Sequence, residues 1–209
     1  ATSTVVENYD SLTREQQMKL LDDVRDDADW LIRMVENLLS VTRIDGGKVQ
    51  VTKTPTVLEE LIDAAVTKFK KRYPQAPLSV DTPDDFITVP VDPLLMEQVL
   101  MNLLENAMLH ASGMTELRLT VSEDDSHLCF AIVDNGCGIP DGIRGHLFSG
   151  AVSSEKSSPD VRRNSMGIGL SVCAAIVTAH GGTITAENRA DGGAVFRFVL
   201  KKEESARGE

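Results

Sequence analysis

Three groups of residues in this chain have types and spacings that can do chemistry. The first is Asp134 to Pro140, read DNGCGIP. An apolar run, Leu128 to Val133, ends on a single carboxylate, Asp134, and glycines follow at 136 and 138. A carboxylate fixed at the end of a buried strand, with bare backbone beside it, suits recognition of a small polar ligand. Gly136 and Gly138 carry no Cβ, so they allow positive φ and close approach of the chain to a ligand. Asp-Asn-Gly is also an ordinary turn signal. The second group is Asn102, Asn106 and His110, four apart and therefore on one face of a helix. Asn competes for backbone bonds in mid-helix. Such a polar line is either a solvated stripe or a lining of amide oxygens, hard ligands suited to a Mg²⁺ that also holds phosphates and waters. The third group is Gly167-Ile168-Gly169-Leu170. Glycines at a helix start let phosphates approach free N–H groups and the positive end of the helix dipole. The GxGxxG spacing, a directly preceding strand and a GxxxxGK[ST] loop are all absent, which argues against a dinucleotide fold or a Walker loop.

These groups need elements to hold them. Asp92-Pro93 starts a helix, with Asp as cap and Pro in the first turn; it runs to about His110 and carries the two asparagines. Leu117 to Val121 and His127 to Val133 make a hairpin across Glu123-Asp124-Asp125, and its second strand delivers Asp134. Gly142 to Ser165 reads as irregular, rich in Ser and Gly. Gly167 to Ala179 is helical, and Thr183 to Ala186 with Ala194 to Leu200 forms a last hairpin around Asp191-Gly192-Gly193. Upstream, Val57 to Arg72 is an amphipathic helix with Leu58, Leu61, Ile62, Ala65 and Phe69 on one face. Lys48 to Lys53, Leu78 to Val80 and Phe86 to Val89 read as strands. Ser11 or Thr13 caps an earlier helix with Glu15 and Gln16 in its first turn. Along it Met18, Leu21, Val24, Ala28, Leu31, Val35 and Leu38 form a heptad seam, which needs a partner helix. That seam is a bundle helix or a dimerisation stem. Hairpins interleaved with helices predict an α+β fold, a two-layer sandwich with a mixed sheet and helices on one face, preceded by the helical stem.

Composition narrows the class of partner. The chain has 209 residues, 42% of them hydrophobic, and a net charge of −11. That charge argues against a nucleic-acid surface, which needs clustered Lys and Arg. Three cysteines, widely spaced and odd in number, suggest reduced thiols rather than a zinc site. No apolar run approaches the roughly 20 residues that span a bilayer.

The order of the motifs is more specific than any one of them. Asn-x-x-x-Asn-Ala on a helix, Asp-x-Gly-x-Gly after a strand, a long polar loop and Gly-x-Gly-Leu at a helix start resemble the ATP-binding region of the gyrase/Hsp90/histidine-kinase/MutL superfamily. More closely, the chain resembles a bacterial sensor histidine kinase of a two-component system. Gln98 to Ala107 is similar to the family's N box, DNGCGIP to its G1 box, Leu147-Phe148 to a worn F box and Gly167 to Leu170 to its G2 box. Trp30 to Gly46 resembles the second helix of the dimerisation and histidine-phosphotransfer domain. Leu58 to Ala111, with His180 to Ile184, is most similar to the potassium-responsive KdpD-type kinases.

The resemblance implies a Bergerat-type ATP-binding fold over residues 47–203, partial stem helices over 1–46 with the first truncated, and a disordered tail over 204–209. It implies ATP and Mg²⁺ as ligands. Asp134 would accept from the adenine amino group, Gly136 and Gly138 would shape the pocket, and Ile139 would pack on the ring. Asn106 would hold Mg²⁺, Asn102 would line the phosphates, and His110 and Phe148 would line the pocket. Gly167, Ile168, Gly169 and Leu170 would meet the phosphates beneath a lid over 142–166. The family's Lys three residues after the second Asn is Leu109 here. Lys156, Arg162 or Arg163 on the lid would replace it, or these charges are simply solvated. None of His110, His127, His146 and His180 has the context of a phosphoacceptor, so the expectation is a fragment that begins after that histidine. The implied function is transfer of the γ-phosphoryl of Mg-ATP to a stem histidine outside this fragment, then to a response regulator receiver domain. The implied setting is a homodimeric, cytoplasmic portion of a membrane-anchored sensor. The alternative is a catalytically degenerate nucleotide-holding module that docks a response regulator. A hydrolytic ATPase of the superfamily would place Glu four residues before the Mg-binding Asn; here that residue is Asn102.

Overall fold

The structure, a computed structural model, describes residues 13–22, 24, 25, 28, 44, 45, 48, 49, 51–149 and 168–202. Most of the expected stem and lid, the tail, Gly167, Lys156, Arg162 and Arg163 lie outside the described residues. Within the stem, residues 14–22 are helical. Thr13 opens them with a reciprocal cap: its Oγ1 accepts from Gln16 N at 3.3 Å while its own N–H donates to Gln16 Oε1 at 2.9 Å. Met18 and Leu21 of the seam stand exposed.

A two-layer α+β sandwich forms the rest. Short strands β1 (Ile44–Asp45) and β2 (Lys48–Val49) pair with each other, and β3 (Thr54–Val57) leads into helix α1 (Leu58–Arg72). Strands β4 (Leu78–Asp81) and β5 (Thr88–Val91) precede helix α2 (Pro93–His110). Strands β6 (Leu117–Glu123) and β7 (His127–Asp134) form the first hairpin. A one-turn helix, α3 (Asp141–Arg144), then α4 (Ile168–Ala179), precede the last hairpin of β8 (Thr183–Asn188) and β9 (Ala194–Lys201). The main sheet has the order β4-β6-β7-β9-β8, with β4 parallel to β6 and every other pair antiparallel. It is the mixed sheet that the interleaved hairpins predict.

One face of this sheet is packed. Leu117, Leu119 and Val121 are buried while Arg118 and Ser122 are exposed, the alternation of a half-covered strand. Phe130 and Phe198 are cross-strand partners and stack at 4.5 Å between ring centroids. Over them lies α2, buried on nearly every side at Leu95, Met96, Val99, Leu100, Leu103, Leu104 and Ala107, with α1 and α4 as its neighbours in the helical layer. A helix apolar all round is an interior helix, so each polar group on α2 must have a partner or an opening. Asp92 caps it as expected, Oδ1 accepting from Leu95 N at 3.2 Å, with Pro93 in the first turn.

Two upstream strands differ from expectation. The alternation over Lys48 to Lys53 yields a strand only at Lys48–Val49. The longer strand falls at Thr54–Val57, pairing with Thr88–Val91, two residues beyond the expected Phe86–Val89. Pro55 faces Pro90 across this two-stranded ladder. Neither can donate, so the pair fits where no ladder bond is needed, while Val89 and Val91 turn into the core. The irregular segment after Pro140 also contains the turn of helix α3.

Candidate functional site

Asp134 ends β7 and is only 3% exposed. Its Oδ1 accepts from Gly136 N at 2.9 Å and from Ala194 N at 3.3 Å. Nothing among the described residues donates to Oδ2. A buried carboxylate with one oxygen fixed by backbone and the other left over is a directional acceptor for a ligand N–H. Such charge-assisted bonds are the strong ones.

The two glycines after it serve different ends. Gly138 has φ 75°, the left-handed region that favours glycine. Gly136 does not have positive φ. A Cβ on it would lie 2.7 Å from the Ala111 Cβ and 2.8 Å from the Ala111 carbonyl oxygen. Gly136 permits close approach of the loop to the end of α2. That approach also brings Cys137 Sγ within 3.3 Å of the His110 carbonyl oxygen. Ile139 and Leu147 belong to the buried core cluster, and Phe148 and Leu170 are partly buried against that cluster.

On α2 the polar line divides. Asn106 is half-buried and its amide makes no hydrogen bond with a described residue. Asn102 is half-buried. Burial pushes the Cys173 thiol of α4 up to about 12, an effect the Asn102 side chain opposes, and Cys173 Sγ donates to the Val99 carbonyl oxygen at 3.8 Å, which links α4 to α2. The His110 side chain keeps an exposed face at the helix end, and desolvation by the surrounding chain lowers its pKa. Gly169 and Leu170 lie half-buried in the first turn of α4, which Ile168 opens. The structure thus brings the C-terminal end of α2 and the Asp134–Ile139 loop together at the end of the central strand β7, with α4 packed beside α2. Gly167, Lys156, Arg162 and Arg163 are outside the described residues.

Several residues that hold this arrangement escape sequence reasoning. Asn135 Oδ1 accepts from Thr115 N and Glu116 N, both at 2.9 Å, and so fastens the α2–β6 connection to the site loop. Asn188 of β8 bonds both backbone groups of Ile139, and Arg189 Nη1 donates to the Asp134 carbonyl oxygen at 3.2 Å. Glu105, buried beside Asn106, pairs with Arg72 at 3.0 Å. Only Glu105 leaves a sequence signal, an acid near leucines in an apolar helix and a basic cluster, Lys70-Lys71-Arg72, at the end of α1.

The residues present fit an adenine nucleotide. Asp134 offers a fixed acceptor, Ile139 and Phe148 offer apolar contact, and Asn106 offers an amide oxygen with no partner among the described residues. Among the described residues no cluster of three or more His, Cys, Asp or Glu could hold a metal ion. A divalent ion here would need ligand phosphates and waters besides Asn106.

Comparison with known proteins agrees with this geometry. Residues 91–204 match the family model described as histidine kinase-, DNA gyrase B-, and HSP90-like ATPase. The chain is similar to the sensor protein KdpD of Clostridium acetobutylicum, 36% identical over 203 residues, covering 97% of this chain and 22% of that protein. It therefore spans under a quarter of that relative's length. The catalytic domain of the histidine kinase ThkA superposes with a TM-score of 0.57 at 25% identity, over 73% of this chain and 96% of that one. ThkA in complex with the response regulator protein TrrA superposes with a TM-score of 0.71 at 22% identity, over 99% of this chain and 57% of that one.

Proposed function

The chain belongs to the histidine kinase-, DNA gyrase B- and HSP90-like ATPase family, and from that premise we propose that it is the ATP-binding kinase core of a two-component sensor histidine kinase. The observation that carries the proposal is Asp134, a buried carboxylate with one oxygen fixed by Gly136 N and Ala194 N and the other left for a ligand. Its Oδ2 accepts from the adenine amino group, and Ile139 packs on the ring. The backbone at Gly136 and Gly138 shapes the pocket wall. His110 and Phe148 line its sides. Asn106 would hold Mg²⁺ together with phosphate oxygens of the ligand, and the ion would supply charge neutralisation there. Asn102 lines the phosphates, and Gly167, Ile168, Gly169 and Leu170 present the helix start to them. Residues 142–166 act as the lid, with Lys156, Arg162 and Arg163 as its phosphate contacts.

Catalysis in such a site is mostly positioning and charge stabilisation. The γ-phosphoryl group passes to a histidine that is none of the four in this chain. His180 is buried with both ring nitrogens in hydrogen bonds. His127 sits in the β6–β7 turn against Ser126 and Asp124. His110 belongs to the pocket, and His146 is followed by Leu147 rather than an acid. From the histidine the group moves to a receiver domain of a response regulator, the class of partner that ThkA holds in its solved complex. Residues 47–203 form the catalytic domain. The stem over 1–46 mediates homodimerisation, and the portion is cytoplasmic; no helix among the described residues is long and apolar enough to cross a membrane.

The test supplies the acceptor. The chain, γ-labelled ATP and Mg²⁺ are incubated with a phosphotransfer stem from the Clostridium acetobutylicum relative. Acid-labile, base-stable label on the stem is expected. ATP binding with no label on any supplied stem would overturn the kinase assignment and leave only a nucleotide-holding domain.

A further inference from the structure

The loop that carries Asp134 is not self-supporting. Within it, one bond among the described residues holds the carboxylate, Gly136 N to Oδ1. Asn135 ties the loop to the α2–β6 connection and Cys137 Sγ reaches the His110 carbonyl oxygen, while the two ends of the loop, Asp134 and Ile139, are held by one distant hairpin, β8–β9. Ala194 N donates to Asp134 Oδ1 at 3.3 Å, and Arg189 Nη1 donates to the Asp134 carbonyl oxygen at 3.2 Å. Gly193, at φ 85°, lies so close that a Cβ there would fall 2.0 Å from the same carbonyl. The firmest link is Asn188. Its Oδ1 accepts from Ile139 N at 2.6 Å and its Nδ2 donates to Ile139 O at 2.9 Å. One side-chain amide thereby satisfies both backbone groups of one loop residue, as a neighbouring strand would. Gly138 leaves room for it: a Cβ there would meet Asn188 Oδ1 at 3.0 Å.

This clamp fixes two things relative to each other, the free oxygen of Asp134 and the side chain of Ile139. They stand at the two ends of a loop with two glycines. A fixed acceptor distinguishes a ring that presents an amino donor from one that presents a carbonyl oxygen, because the second leaves two acceptors facing each other. A loop free to shift would relieve that mismatch. We propose that Asn188 is a specificity-determining positioning residue that sets the purine preference of the site through Ile139. The inference rests on the nucleotide reading of Asp134.

Calorimetry on the full chain with Mg²⁺ tests it, using ATP, GTP and inorganic tripolyphosphate as probes. The unaltered chain should prefer ATP. Asn188→Ala should raise the Kd for ATP at least tenfold and leave GTP and tripolyphosphate within about twofold, so that the two purines converge. Asn188→Asp keeps the acceptor for Ile139 N but sets a carboxylate oxygen against Ile139 O, so it should follow the alanine variant. Equal losses for ATP and GTP, or ATP affinity unchanged in both variants, would overturn the assignment. No ATP binding by the unaltered chain would instead overturn the nucleotide site, and the role of Asn188 with it. Should both variants fail to fold, hydrogen exchange on the unaltered chain decides. The Ile139 amide should be protected before any nucleotide is added, and exchange at the rate of an open loop would refute the clamp.

Discussion

At the scale of single residues the site depends on one oxygen atom. Asp134 Oδ1 is committed to Gly136 N and Ala194 N, so only Oδ2 is available. Asp134→Asn preserves shape and can keep Oδ1 in place as the amide oxygen. It then points an NH₂ group where the ligand's amino group must sit, donor against donor. A hydrogen bond to a charged group contributes about 1.5–3 kcal/mol. The variant should therefore bind Mg-ATP roughly 10- to 150-fold more weakly by calorimetry. A Kd within twofold of the parent would remove Asp134 from the base site. The carboxylate was legible in the sequence because an apolar run points straight at it. The reason for Gly136 was not: that glycine is required by Ala111, 25 residues earlier in the chain, and the close approach of two backbones leaves no trace in residue spacing.

At the scale of elements, α2 is the part whose rotation matters. Successive helical residues point about 100° apart, so Glu105 and Asn106 cannot share a direction. Glu105 is taken by Arg72 at the end of α1, and Glu97 one face-repeat earlier pairs with Lys68 at 3.0 Å. The exposed Lys68 pair contributes little, whereas Glu105 is buried. Arg72→Ala leaves that charge uncompensated and should cost about 3 kcal/mol in urea unfolding. Arg72→Met with Glu105→Leu should recover most of it; a double variant no more stable than Arg72→Ala would show that packing, not charge, is lost. The far end of α2 is held differently. His180, at the C-terminus of α4, accepts Asp92 N–H at Nε2 and donates from Nδ1 to the Ile176 carbonyl, which requires a neutral ring. Lys53 Nζ reaches the His180 carbonyl at 2.9 Å. Burial lowers the His180 pKa from its usual 6.5, an effect opposed by the Ile176 bond and by Asp92 and aided by Lys53. The unfolded chain then binds the proton more readily than the folded one. The contribution is complete above pH 6.5 and is lost as pH falls from there through the lowered folded value. Unfolding free energy should decline with acid below pH 6.5, and His180→Gln should flatten that decline, as should His110→Gln separately, since His110 is lowered in the same sense. Parallel pH profiles for the parent and His180→Gln would rule the ring out as the titrating group.

At the scale of the whole molecule, the sheet was readable and the clasp between its parts was not. Alternation in Leu117 to Val121 and the turn residues at Glu123 to Asp125 and Asp191 to Gly193 dictate two hairpins, and helices of period 3.6 between them dictate a mixed sheet with one covered face. The β3–β5 ladder hides because Pro55 and Pro90, which normally speak against a strand, face each other in it. Asn188, Asn135 and Arg189 hide because a polar residue at a strand end looks the same whether it meets water or another loop. Those cross-links have a thermodynamic consequence. The site draws on α2, the loop after β7, the start of α4 and the β8–β9 turn, segments that meet only in the folded chain. A ligand that bridges them has no counterpart in the unfolded state, so its binding free energy adds to stability. At 100 times Kd the gain is about 2.7 kcal/mol. For a chain of this size about 1 kcal/mol moves Tm by 2–4 °C, so saturating Mg-ATP should raise Tm by roughly 5–11 °C. Asp134→Asn at the same ATP concentration should give a markedly smaller shift. A shift below about 1 °C, at a concentration calorimetry shows to be saturating, would mean that nucleotide binds as well to a chain in which these segments are apart, and the site would have to lie within one of them alone.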